Sequence, residues 1–183
     1  EYLVEGNEIV GRTVHDSPNS FLTTGQEYSD FILELEYLVD TTMNSGIQVR
    51  SNSFPYYQNG RVHGYQIEID PSERSWSGGI YDEARRGWLV SMDGNPEAQQ
   101  AFRRTDWNHY RIEAIGDTLK TWVNGVPAAH LIDDKTRTGF IALQVHSISE
   151  EQQAGTEIRW RNIRILTDSL ERYSKPTPLE PVR

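Results

Sequence analysis

The sequence predicts an all-β fold, an antiparallel two-sheet jelly-roll sandwich carrying one or two short helices. Three observations carry that expectation. Apolar residues alternate with polar ones through most of the chain, turn formers bound runs of strand length, and helix signals are confined to two short stretches.

The elements follow in order. In Asp30-Phe31-Ile32-Leu33-Glu34-Leu35-Glu36-Tyr37, residues Phe31, Leu33, Leu35 and Tyr37 share one face, while Ile32, Glu34 and Glu36 take the other. Gly64 to Asp70, Trp107 to Ala114, Leu119 to Val123 and Gly139 to His146 alternate in the same way, and Trp160 to Leu166 reads as a last strand. Asn124-Gly125 and Asp93-Gly94 are turn signals, and Ile115-Gly116-Asp117 joins two strands as a hairpin. Asn95-Pro96-Glu97-Ala98 begins a helix, with a capping residue, a proline at the first helical position and helix formers behind it. One further helical turn is expected within Asp168 to Tyr173. We assign a single jelly-roll domain to residues 1–170 and an extended, poorly ordered tail, punctuated by Pro176, Pro178 and Pro181, to residues 171–183.

Composition narrows the function. A formal net charge of −9 argues against a phosphate-binding footprint, so nucleic acid is not an expected partner. The chain has no cysteine, which removes thiolate metal sites, iron–sulfur centres and cysteine nucleophiles. No apolar run approaches the roughly 20 residues that cross a bilayer, and there is no transmembrane segment. Glu1-Tyr2-Leu3-Val4 lacks an initiator methionine, which reads as a trimmed mature or recombinant chain with any export signal cut away.

The strand faces turned from the core supply the candidate site. They offer Gln66, Glu68 and Asp70 on one strand, Gln144 and His146 on another, Gln48 and Arg50 on a third, and Lys120 and Trp122 on a fourth. If these strands share one sheet, its open face combines amides, carboxylates, cations, a histidine and a ring, a mixture that binds sugars. The plainer reading is a solvated sheet face, with Trp122 covering a loop. Glu68 and Asp70 lie roughly 6.8 Å apart along a strand, a spacing at which paired carboxylates can divide acid and base roles. His146 can act as acid or base near neutral pH. The other histidines show no metal-ligand spacing. Asp70 and Asp82 are carboxylates available to calcium or a similar divalent ion, although no EF-hand loop is present and no cofactor is required by any motif. Ser51 to His63 is a ring-rich loop able to wall a sugar pocket. Ile80 to Leu89, with Tyr81, is either a second wall or a rigid loop tied by Arg–carboxylate pairs.

Seven segments in order resemble the 3-keto-disaccharide hydrolase family, long catalogued as a domain of unknown function. They are Asn44–Ser51, Gly64–Asp70, Gly79–Tyr81, Trp107–Ile112, Trp122–Val126, Gly139–Ser147 and Trp160–Ile165, and the likeness runs from about Tyr2 to Leu166. The resemblance implies a concanavalin A-like jelly roll, also used by laminarinases and legume lectins. It implies a carbohydrate or glycoside ligand oxidised at C3, and a periplasmic, extracellular or lipid-anchored location. A ketone at C3 acidifies the C2 proton, so a base can form an enolate that expels the C1 substituent. On that chemistry Glu68 or His146 is the base, Arg50, Lys120 or a metal steadies the enolate, and Asp70 or His146 assists the leaving group. Gln66, Gln144, Tyr81 and Trp122 hold the ring. The alternative is a non-catalytic carbohydrate-binding module, which needs the amides and Trp122 but no base. A protein-docking domain would require an exposed apolar patch that the sequence does not display.

Overall fold

Alternation becomes two antiparallel sheets in a computed structural model describing residues 1–183. The strands are β1 (Tyr2–Glu5), β2 (Glu8–Arg12), β3 (Ser20–Thr23), β4 (Phe31–Val39), β5 (Ser45–Asn52), β6 (His63–Ile69), β7 (Ile80–Glu83) and β8 (Gly87–Val90). After helix α1 (Pro96–Ala101) come β9 (Asn108–Ile115), β10 (Thr118–Val123), β11 (Val126–Ile132), β12 (Phe140–Val145) and β13 (Glu157–Leu166). One sheet has seven strands in the order β1-β2-β13-β4-β9-β10-β11, and the other six in the order β3-β12-β5-β6-β7-β8. The helix is where its signals put it, capped by the Asn95 side chain, which accepts from the Ala98 N–H. A single 3₁₀ turn spans Leu170–Arg172.

The core lies between the sheets. Phe31, Leu33, Leu35 and Tyr37 of β4 and Tyr110 and Ile112 of β9 face Ile47 and Val49 of β5, Tyr65, Ile67 and Ile69 of β6, and Ile141, Leu143 and Val145 of β12. Each such side chain contributes about 1.5–3 kcal/mol of burial, so the register of every central strand is set by this face. The Asn124-Gly125 turn closes β10 onto β11 with both residues in the left-handed region, φ 49° and 85°, the geometry a two-residue hairpin needs.

A bulge changes one expectation. Val49 pairs with Tyr65 and Asn52 with His63, so Arg50 and Ser51 together oppose Gly64. Arg50 takes φ 47° there, and its side chain leaves the face it would share with Gln48. The guanidinium is buried and donates to the carbonyls of Ser29 and Gly116 and to Asp30. It is a strut between loops, not part of an open face.

Lys120 and Trp122 are also placed differently from expectation, because β9 and β10 belong to the seven-stranded sheet. Their outer face is covered by the C-terminal segment, which is extended as its prolines require but is held along its length. Arg111 donates to the Tyr173 carbonyl, Lys120 to the Lys175 carbonyl, and Ser174 and the Lys175 N–H to Glu113. Val182 then pairs in parallel with Leu131 of the edge strand β11. Trp122 is consequently only 4% exposed, with the Lys120 ammonium 5.6 Å from its ring centre.

Candidate functional site

The outer face of the six-stranded sheet carries the polar residues. Directly opposed residues on neighbouring strands share a face, and the register lines up Ala142, Gln48, Gln66, Tyr81 and Trp88 across five strands. One step along, Phe21 stands opposite Gln144, and Gly46 opposite Glu68. Gly46 leaves room for the Gln66 side chain. A Cβ there would lie 2.5 Å from the Gln66 side chain, which leans across the backbone to reach Glu68.

These groups form one directed chain of hydrogen bonds. Ser51 Oγ donates to Gln48 Oε1 at 2.7 Å, Gln48 Nε2 to Gln66 Oε1 at 2.6 Å, and Gln66 Nε2 to Glu68 Oε2 at 2.9 Å. Asn44 Nδ2 donates to the other Glu68 oxygen at 2.7 Å. Glu68 is 5% exposed. Burial pushes its pKa up to about 7, with a smaller push from the Asp70 charge, while the Asn44 and Gln66 donors and Arg74 oppose the rise. A carboxyl group titrating near neutrality exchanges protons readily at working pH.

Around Glu68 lies a cavity of about 300 Å³, lined by Asn44, Gln66, Tyr81, Trp88, Gln144 and His146, with Asn19, Arg61, Arg74 and Glu83 completing it. That volume is at the small end of the roughly 300–1,000 Å³ typical of ligand clefts. Tyr81 and Trp88 meet edge to face at 5.2 Å, and Trp76 packs against Trp88 in the same manner. Arg74 is locked beside these rings. Its Nε donates to Asp70 at 2.8 Å, and its guanidinium carbon sits 4.2 Å from the Trp76 ring centre and 5.3 Å from that of Trp88. Arg61 reaches Glu83 at 3.3 Å. His146 Nδ1 lies 2.7 Å from the Ser147 carbonyl, which can only accept, so the neutral ring carries its proton on Nδ1 and keeps Nε2 as an acceptor. Gln144 is fully buried, and neither its amide oxygen nor its nitrogen has a protein partner. A buried, unpaired amide costs about 1–3 kcal/mol, which a ligand hydroxyl could recover.

Of the residues expected from sequence, Gln66, Glu68, Tyr81, Gln144 and His146 come together here. Arg50, Lys120 and Trp122 do not, for the reasons given by the bulge and by the second sheet. Asp70 does not line the cavity. Its carboxylate accepts from the Ser72 N–H and Arg74 and ties the loop after β6. Burial would raise its pKa, but these donors hold it below the ordinary carboxylate range. Asp70 therefore positions Arg74. Asn19, Asn44, Arg61, Arg74, Glu83 and Trp88 were not singled out from sequence. Trp88 had a signal, since Ile80 to Leu89 forms the hairpin that sets it opposite Tyr81, whereas Arg74 had none beyond its spacing of four from Asp70. The hairpin is also the rigid loop anticipated, because fully buried Asp82 accepts from Arg85 at 2.7 Å and Arg86 at 2.5 Å.

The side chains do not group as a metal centre. No three His, Asp or Glu residues converge, and the oxygens of Asp70 and Asp82 are committed to arginines and local N–H groups.

Comparison with known proteins adds three findings. A family model described as the 3-keto-alpha-glucoside-1,2-lyase-like domain matches residues 1–166. No curated protein sequence matches the chain. Among solved structures, a candidate glycosyl hydrolase from Parabacteroides distasonis is similar at 14% identity and TM-score 0.64, covering 91% of this chain and 82% of that one. A carbohydrate-binding module from Bacillus subtilis is similar at 14% identity and TM-score 0.63, covering 90% of each chain. The laminarinase catalytic domain from Thermotoga maritima is similar at 14% identity and TM-score 0.57, covering 91% and 80%. At these identities the likeness establishes a shared sandwich fold, which serves both catalytic and binding proteins.

Proposed function

The chain belongs to the 3-keto-alpha-glucoside-1,2-lyase-like family, and from that premise we propose that it cleaves glycosides oxidised at C3 by elimination across C1 and C2, followed by hydration. The observation that carries this reading is Glu68, a buried carboxyl titrating near neutrality within a cavity that also holds two guanidinium groups and an aromatic wall. Those are the parts that abstraction of a proton beside a carbonyl requires.

The Glu68 carboxylate takes the proton from C2, and the electron pair moves onto the C3 oxygen as an enolate, stabilised by Arg74. The enolate then reforms the ketone as the C1–C2 double bond forms and the C1–oxygen bond breaks. The departing oxygen takes the proton back from Glu68. Water next adds to C1 while His146 Nε2 accepts its proton. The imidazolium returns that proton to C2, so the net reaction is hydrolysis. Tyr81 and Trp88 stack on the ring, and Gln144 binds its hydroxyls. Arg74 needs no reorganisation to meet the enolate, since Asp70 and two indole rings already hold it. The family reading also supports a periplasmic or extracellular site of action.

The test is mass spectrometry of products after mixing the protein with 3-keto-trehalose or with trehalose. Cleavage of the keto sugar alone is expected, because only that sugar has an acidified C2 proton, and Glu68→Gln should abolish it while binding persists. Binding without cleavage by the wild type would replace the enzyme reading with that of a non-catalytic carbohydrate-binding module.

A further inference from the structure

Gln48 has no place in the reaction just described. It does not line the cavity, it is fully buried, and it lies on the far side of Gln66 from the base. Its two hydrogen bonds are nevertheless short and directional, and they connect Glu68 to a hydroxyl that can turn. Ser51 Oγ donates to Gln48 at 2.7 Å, but the carbonyls of Val49 and Tyr65 lie 3.2 and 3.3 Å from the same oxygen. Ser51 fits there because of the bulge and because its neighbour Gly64 has no Cβ. A side chain at Gly64 would collide with Ser51 itself.

A carboxylic acid has opposite hydrogen-bonding needs in its two states. Ionised Glu68 accepts from Gln66 Nε2, as observed. Protonated Glu68 must donate, and toward Gln66 it can do so only if that amide turns over and presents Oε1. Gln66 Nε2 then points at Gln48, which must turn as well, and Gln48 Nε2 donates to Ser51 Oγ. The hydroxyl proton is released to the Val49 or Tyr65 carbonyl. Every buried group is satisfied in both arrangements, and no atom moves further than an amide flip.

We propose that Ser51, Gln48 and Gln66 form a reversible relay whose direction switches each time Glu68 gains or loses its proton, with Gln48 as the positioning residue that couples the two ends. The proposal rests on the reading of Glu68 as a base that is protonated during turnover. Other ionisable groups surround Glu68, namely Arg74, Arg61, Glu83, Tyr81 and His146 around the cavity, with Asp70 outside it but close enough to act on Glu68 by its charge. The experiment must separate their titration from that of Glu68.

Side-chain NMR of isotopically labelled full-length protein between pH 5 and 9 does so without substrate. The Nε2–H₂ signals of Gln48 and Gln66 should move with the same midpoint as the Glu68 carboxyl carbon, and should stand still in Glu68→Gln. Stationary Gln48 signals in the wild type would overturn the relay, as would movement that persists in Glu68→Gln. Gln48→Met keeps the volume but ends the coupling. It leaves Gln66 with an unpaired carbonyl when Glu68 is ionised and an unpaired N–H when it is protonated, and the orphaned N–H is the worse of the two. The Glu68 midpoint, and with it the pH profile of turnover, should therefore fall by roughly 0.5–1 unit. An unchanged midpoint would refute Gln48's role. A relay that titrates in a protein that cleaves no keto sugar would overturn the reaction and leave the relay standing.

Discussion

Replacing Glu68 by Gln should stabilise the protein while abolishing its chemistry, and the size of the gain depends on pH in a defined way. Glu68 is burdened by burial, which raises its pKa from 4.5 to about 7 in the folded chain. Between those values the folded state binds a proton that the unfolded state has released, so wild-type stability falls as pH rises through this window. The full shift of about 2.5 pH units corresponds to about 3 kcal/mol, reached above pH 7 and absent below pH 4. Glu68→Gln carries no such burden. Its new amide can donate to Gln66 if the two neighbouring glutamines turn over, and it still accepts from Asn44. Urea unfolding should therefore show the variant about 2–3 kcal/mol more stable than wild type at pH 8 and nearly equal at pH 4.5. In a domain of this size that is a rise in Tm of about 5–10 °C at the higher pH. A variant no more stable than wild type at pH 8, or one whose advantage is the same at both pH values, would refute the argument that burial of this carboxyl is what tunes it.

Four further outcomes follow from the same geometry. Turnover of a 3-keto-glycoside should rise about tenfold per pH unit below pH 7 and level off above it, because the base must be ionised, and steady-state rates across pH will check this. Gln144→Leu should raise stability by about 1–3 kcal/mol, since it removes an amide with no protein partner, yet weaken ligand binding by calorimetry. Gly46→Ala should cost about 1–3 kcal/mol by overpacking and, by pushing Gln66 off Glu68, lower kcat by roughly 10–100-fold. Trp122→Ala should cost about 3–5 kcal/mol but leave kcat/KM for the keto sugar unchanged, because that ring packs on the other sheet under the C-terminal segment.

Glu68→Gln and Gln144→Leu probe one common feature of the site. Both Glu68 and Gln144 are polar groups placed where an apolar residue would make a more stable sandwich. Natural proteins tolerate such positions where a ligand or a reaction needs them. The two flank Gly46 on one sheet face, and the Gln66 side chain leans over the space that a Cβ at Gly46 would take.

Much of the fold was legible in the chain because strand alternation is a local property. Phe31, Leu33, Leu35 and Tyr37 announce the core face of β4 by spacing alone, and Gln66 and Glu68 announce the opposite face of β6. The helix cap at Asn95 and the turn at Asn124-Gly125 are equally local. The shorter strands β1, β2, β3, β7 and β8, of four or five residues, offer too little alternation to be read. Tertiary structure alone decided which outward faces meet. Period two tells which side of a strand is polar but not which sheet the strand joins, so Trp122 and Lys120 shared a pattern with Gln66 and Gln144 without sharing a face. It decided Arg50 as well, since one extra residue opposite Gly64 reverses every assignment beyond it until the pairing resumes. Arg74 and Trp88 join Glu68 in lining one cavity only because a loop and a hairpin bring them there. Residues that lie apart in the sequence are brought together by chain packing, and no local pattern encodes that.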